Sequence, residues 1–97
     1  MYYDIRNVGY EYLLAEQCLQ AKEYEQAIAH YKAAIRNYEY ADNEYILNPD
    51  HEYSIVEGDI ETHYPSPIFM RSDAEEKIDK IKSIRWKLQE KSSHFLK

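Results

Sequence analysis

Between Ala15 and Ile35 the chain reads AEQCLQAKEYEQAIAHYKAAI, with small alanines and large tyrosines recurring at helical spacing. At about 100° per residue, Tyr24, Ala27, Ile28, Tyr31, Ala34, Ile35 and Tyr38 fall on one continuous stripe. The spacing predicts a helix over 24–41, preceded after a bend at Lys22 and Glu23 by another over 4–21. That first helix carries two stripes. Ile5, Val8, Tyr12, Ala15 and Leu19 make one, and Tyr10, Leu14, Cys18 and Ala21 make another on roughly the opposite side. Ala15, Ala27 and Ala34 let two axes approach closely, while the rings of Tyr24 and Tyr31 fill the space beside them. The second stripe of helix one needs a further partner, either a third helix or a second copy of the chain in a homodimer.

The third helix is expected over 72–96. Ser72 and Glu75 have capping-box spacing, and Ala74, Ile78, Ile81, Ile84, Leu88, Ser92 and Phe95 share a face. Between helices two and three lies an insert, 42–71, with a charge of its own. Residues 42–70 hold seven acids and no Lys or Arg, whereas residues 1–41 net −2 and residues 71–97 net +3. Within it, EYSIV and IETHY flank the turn-forming EGD, a pattern that predicts a small hairpin with Gly58 at positive φ. YPSP then reads as extended chain up to Ser72. A two-stranded hairpin is marginal alone, so this one packs on the helices as a lid or serves as an arm for a partner. The expected fold is therefore one mainly α domain, 1–97, an antiparallel three-helix bundle with an irregular or short β-hairpin insert.

Leu14, Ala15, Cys18, Tyr24, Ala27, Tyr31 and Ala34 resemble the signature of a tetratricopeptide repeat, a helical hairpin of 34 residues. Glu11, Cys18 and Glu39 stand where that family has tryptophan, tyrosine and proline, and no second copy follows one period later, where the chain reads NPDHEYSIVEGD. A single such hairpin closed by a third helix is similar to the MIT domain, a three-helix adaptor. The resemblance implies grooves along helix three that accept helical or extended peptides.

Eleven tyrosines stand against two phenylalanines and one tryptophan, a bias that suits half-buried seams and contact surfaces. Catalytic chemistry finds little footing. His51 and His63 stand among Asp50, Glu52, Asp59 and Glu61 at spacings that match no metal-ligand pattern, so neither metal nor cofactor is expected. Cys18 lies on an apolar stripe and reads as a packed thiol, His30 as a helix residue, and His94 as a residue favoured near a helix C-terminus by the dipole. With glycine only at 9 and 58 there is no phosphate loop. The absence of a signal-like leader or a run of about 20 apolar residues makes a cytoplasmic, reduced location the expectation, without a membrane partner. A net charge of −6 argues against direct nucleic-acid binding.

Three functions fit these features. The first is a non-catalytic interaction module that presents a helical groove to a partner protein or peptide. The second is a small acidic inhibitor, of the kind phages and mobile elements encode, imitating nucleic acid against a defence or nucleic-acid-handling protein. The third is an oligomeric binder of a nucleotide-like ligand through its tyrosines. Trp86 points roughly 150° from the buried stripe of helix three, between Lys82 and Lys87, and is either covered by Tyr53, Ile55 or Tyr64 or is itself a partner anchor. The candidate partner-binding residues are Trp86, Lys82, Tyr53, Tyr64, Tyr40, Asp59 and Glu61.

Overall fold

The computed structural model describes the backbone of residues 3–41 and 48–95 and the side chains of 3–41 and 48–84. Its elements follow the order α1 (Asn7–Gln20), α2 (Tyr24–Tyr40), β1 (Tyr53–Glu57), β2 (Ile60–Tyr64) and α3 (Pro67–Phe95). The chain is mainly helical, with a two-stranded antiparallel sheet between helices two and three.

Helix one starts later than its stripe suggests because Asp4 caps a tight turn ahead of it. The Asp4 carboxylate accepts the Arg6 N–H at 2.9 Å, and the N–H groups of Asn7 and Val8 reach the Asp4 and Ile5 carbonyls at 2.9 and 3.2 Å. These three-residue bonds satisfy donors that a helix start leaves orphaned. Asn37 of α2 holds this turn in place by accepting the Asp4 N–H at 3.1 Å. At the other end, Lys22 adopts φ 61°, its N–H bonds the Leu19 carbonyl at 3.0 Å, and the Glu23 N–H bonds the Cys18 carbonyl at 2.9 Å. This is a Schellman closure with lysine in the left-handed position that glycine usually fills.

Of the first stripe, Val8, Tyr12 and Ala15 are buried as expected, and Ile5 and Leu19 are half-buried against the same core. Val8 and Ala15 are fully enclosed with Ala27, Tyr31 and Ala34 of α2, and the Tyr12 and Tyr31 rings meet edge to face at 6.0 Å. Helix three adds Met70, Ala74, Ile78 and Ile81 to the same core. It packs more extensively on α2 than on α1. Where it meets α1, at Tyr12 and Glu16, it lies beside the first stripe and not against the second. Tyr10 and Ala21 are exposed, and Leu14 and Cys18 only half-buried. The expectation that helix three covers the Tyr10–Leu14–Cys18–Ala21 stripe is therefore corrected: α2 and α3 share one broad face of α1.

The start of helix three is also corrected, from Ser72 to Pro67. The Ser66 hydroxyl accepts the Phe69 N–H at 3.2 Å and so caps the helix, while Pro67, with φ pre-set and no N–H to satisfy, fits its first position. Ser72 is an exposed residue of the second turn. Arg71 beside it joins helices two and three, bonding Glu39 at 2.9 Å and lying over the Tyr38 ring at 5.5 Å.

A polar cluster ties all three helices together. Glu16 accepts the Tyr31 hydroxyl at 2.6 Å and Lys77 Nζ at 3.2 Å; Asp73 accepts the Tyr12 hydroxyl at 2.5 Å and the same Nζ at 3.0 Å. Burial, reinforced by the carboxylate partners, holds both phenols protonated well above their ordinary pKa, and the two carboxylates more than offset burial to raise that of Lys77. Each tyrosine thus places its ring in the core and its hydroxyl on a charged acceptor, which phenylalanine could not do. Lys22→Gly should raise stability by about 0.5–1 kcal/mol in thermal or denaturant melts, since it relieves the left-handed strain at an exposed site.

Candidate functional site

The two strands meet in the register Tyr53↔Tyr64, Ser54↔His63, Ile55↔Thr62, Val56↔Glu61, Glu57↔Ile60, closed by Gly58 and Asp59. Gly58 has φ 62°, as the EGD turn predicted, and glycine in the first of two turn positions matches the right-handed twist of paired strands. Alternation then sorts the side chains. Tyr53, Ile55, Glu57, Ile60, Thr62 and Tyr64 share one face, and Ser54, Val56, Glu61 and His63 the other.

The base of the first face is seated on α1 at Gly9. The Tyr53 and Tyr64 rings stack at 5.1 Å with an interplanar angle of 28°, directly over the glycine. A methyl group there would overlap the Tyr64 ring and lie 2.6 Å from the Tyr53 hydroxyl oxygen. That hydroxyl accepts the Gly9 N–H at 2.9 Å and donates to the Arg6 carbonyl at 3.1 Å. Gly9 is the third residue of the helix, so Tyr53 supplies from 44 residues away the cap that no local side chain provides. Burial at this contact pushes the Tyr53 pKa up to about 12.

Beyond the stacked pair the hairpin overhangs α1 and encloses a groove of about 310 Å³, lined by Arg6, Asn7, Tyr10, Ile55, Glu57, Ile60, Thr62 and Tyr64. Its apolar rim is open to solvent: Tyr10 is 56% exposed and Ile60 70%, with Val56 at 66% on the reverse face. The hairpin around it is acidic, with Glu57 on the groove face, Asp59 in the turn and Glu61 on the reverse face all exposed. Arg6 contributes little free positive charge to it, because its guanidinium is clamped on Asp4, Nε lying 3.0 and 3.1 Å from the two carboxylate oxygens. The same clamp holds the Asp4 carboxyl below its usual range.

Four of the sequence-derived candidates meet here. Tyr53 and Tyr64 form the base of the hairpin, Asp59 its turn and Glu61 its outer strand. Tyr40 lies elsewhere, exposed at the end of α2 with its ring 5.8 Å from Tyr3, and Lys82 is exposed on α3 about 22 Å along the helix from Pro67. The side chain of Trp86 falls outside the described residues. Tyr53 and Tyr64, two of the residues considered as its cover, pack on Gly9 of α1. Sequence reasoning missed Tyr10, Ile55, Ile60 and Thr62 as site residues. Ile60 immediately after a hairpin turn was a usable signal, since an isoleucine at that end of a strand reaches past whatever supports the base. Among the described residues no group of His, Cys, Asp and Glu is arranged to hold a metal, and no helix is long and apolar enough to cross a membrane. No protein-family model matches the chain, and no curated protein or solved structure matches it.

Gly9→Ala should lower stability by about 2 kcal/mol or more, even though alanine is the better helix former by about 1 kcal/mol, because the methyl displaces both rings. Chemical shifts of the hairpin amides and a denaturant melt check this together. The raised Tyr53 pKa also fixes a pH window: its stabilisation is full below pH 10.0, where the hydroxyl is protonated in either state, and is lost as pH rises through about 12. Tyr53→Phe should remove that part of the alkaline loss, measured as the difference between the two proteins' melting temperatures across the window.

Proposed function

We propose that the chain is a non-catalytic interaction module, a three-helix bundle built on a tetratricopeptide-like helical hairpin, that presents a groove to a partner protein or peptide. The observation that carries this reading is the combination at one end of the molecule of a formed groove and solvent-exposed large apolar side chains, Tyr10 and Ile60, on its rim. Apolar groups clustered on a rigid, polar-rimmed surface are what a partner desolvates on binding. The groove differs in place from the one the MIT resemblance implies, lying between α1 and the β-hairpin and not along helix three. In this reading the insert is the recognition arm, held in shape by Gly9.

The acidic-inhibitor reading draws on the same end of the chain, where Asp50, Glu52, Glu57, Asp59 and Glu61 are all exposed. A binder of flat ligands is less well supported, since the Tyr53 and Tyr64 faces that would stack on a ligand are stacked on each other.

Affinity capture from the native host, with wild type beside Tyr10→Glu and Ile60→Glu, tests the module. Both sites are exposed, so melting temperatures should stay within about 0.5 kcal/mol of wild type in stability, while the captured partner is lost from both variants. A partner that nucleic acid displaces would favour the inhibitor. A wild-type dimer in light scattering that Tyr10→Glu converts to monomer would replace the foreign partner with a second copy, as the open stripe on helix one allows.

A further inference from the structure

The hairpin has a feature that a groove alone lacks, an unpaired edge running beside it. The two-residue turn makes Glu57↔Ile60 a hydrogen-bonded pair, so along an antiparallel ladder Ile55↔Thr62 and Tyr53↔Tyr64 are bonded pairs as well. The backbone N–H and C=O groups of Glu61 and His63 therefore point away from β1, and among the described residues no backbone hydrogen bond takes them up. Three residues of this strand, Ile60, Thr62 and Tyr64, line the groove opposite Tyr10. An added strand on this edge would direct alternate side chains onto that apolar floor.

Native proteins usually blunt such an edge with lysine, proline or a bulge. This one carries Glu61 and His63, and the whole of residues 42–70 contains no Lys or Arg. Carboxylates of Glu57, Asp59 and Glu61 repel an acidic segment or a second acidic hairpin and favour a basic one.

We infer that the partner supplies an extended, Lys- or Arg-bearing segment that adds to β2 as a third strand, its apolar side chains on Tyr10, Ile60 and Thr62 and its charges on the reverse face beside Glu61, within the acidic field that Glu57 and Asp59 extend. This rests on the module reading above and deepens it. Main-chain bonds to Glu61 and His63 give the segment its register, the groove selects alternate apolar residues, and the acids select the sign of charge.

A synthetic peptide of about eight residues alternating valine and lysine, long enough to pair along one short strand, is the probe, titrated into the full chain by NMR. It should bind saturably and shift the amides of residues 60–64. A version N-methylated on alternate residues, unable to donate to the edge, should bind at least ~10-fold more weakly, and so should the valine–glutamate counterpart. Glu61→Pro removes the outward donor without touching the bonds to β1, and should abolish binding where Glu61→Gln only weakens it. Should Glu61→Pro undock the hairpin, seen as loss of the native Gly9 amide shift, the N-methylated peptide decides on the unaltered protein. Equal binding of the N-methylated and parent peptides, or no saturable binding by either, overturns strand addition. If captured partner still depends on Tyr10 and Ile60 in that case, the module stands without it; if it does not, both fail.

Discussion

The Tyr53 hydroxyl sits between the Arg6 carbonyl and the Gly9 N–H, and it reaches them because residue 9 has no side chain. A glycine inside a helix weakens it by about 1 kcal/mol relative to alanine. Here that loss is offset by a docking surface on the backbone itself, where two stacked rings bury against the helix and one of them satisfies an orphan donor. A two-stranded sheet has no stability of its own to spare, so its position, its overhang and the groove beneath it all follow from this contact. Remove it and the apolar rim formed by Tyr10 and Ile60 loses one of its two walls.

The helices depend on a second use of tyrosine. Tyr12 and Tyr31 fill the interior that three closely approaching helices leave beside Ala15, Ala27 and Ala34, while Asp73 and Glu16 accept their hydroxyls, and the Lys77 ammonium, at the edge of that interior. Each acid has a phenol and an ammonium as partners, so the desolvation of the charges is met by bonds from more than one helix. Part of the excess of tyrosine over phenylalanine follows, since Tyr12 and Tyr31 each end on a specific acceptor. Of the other described tyrosines on or beside the helices, Tyr10 and Tyr40 face solvent and Tyr3, Tyr24 and Tyr38 are half-buried.

The sequence made the α1–α2 seam readable because alternating small and large residues leave few ways to pair two stripes, and Val8, Ala15, Ala27, Tyr31 and Ala34 are all enclosed as that pattern requires. The hairpin was readable because Gly58 followed by Asp59 between alternating strands admits one kind of turn. Two features were not. YPSP obeys two rules at once, proline restricting its predecessor to extended chain and proline favouring the first turn of a helix; the second applied at Pro67, and the cap is Ser66. The stripe through Tyr10 and Leu14 has the angular spacing of a buried face, but spacing records only which residues share a side, not whether anything covers it. The Gly9 contact itself links residues 44 apart in sequence and leaves no local signal beyond a glycine in a helical stretch.

Amide hydrogen exchange at Gly9 tests the account most directly. An N–H in the first turn of a helix ordinarily exchanges with the fraying end, whereas one bonded to a buried tyrosine hydroxyl opens only when the hairpin leaves. The account predicts that the Gly9 amide is protected to the same degree as the amides that pair β1 with β2, and that Tyr53→Phe abolishes its protection while leaving that of the α1–α2 core, Ala15 and Ala34 among it, in place. A Gly9 amide that exchanges freely in the wild-type chain, with the hairpin formed, would contradict it.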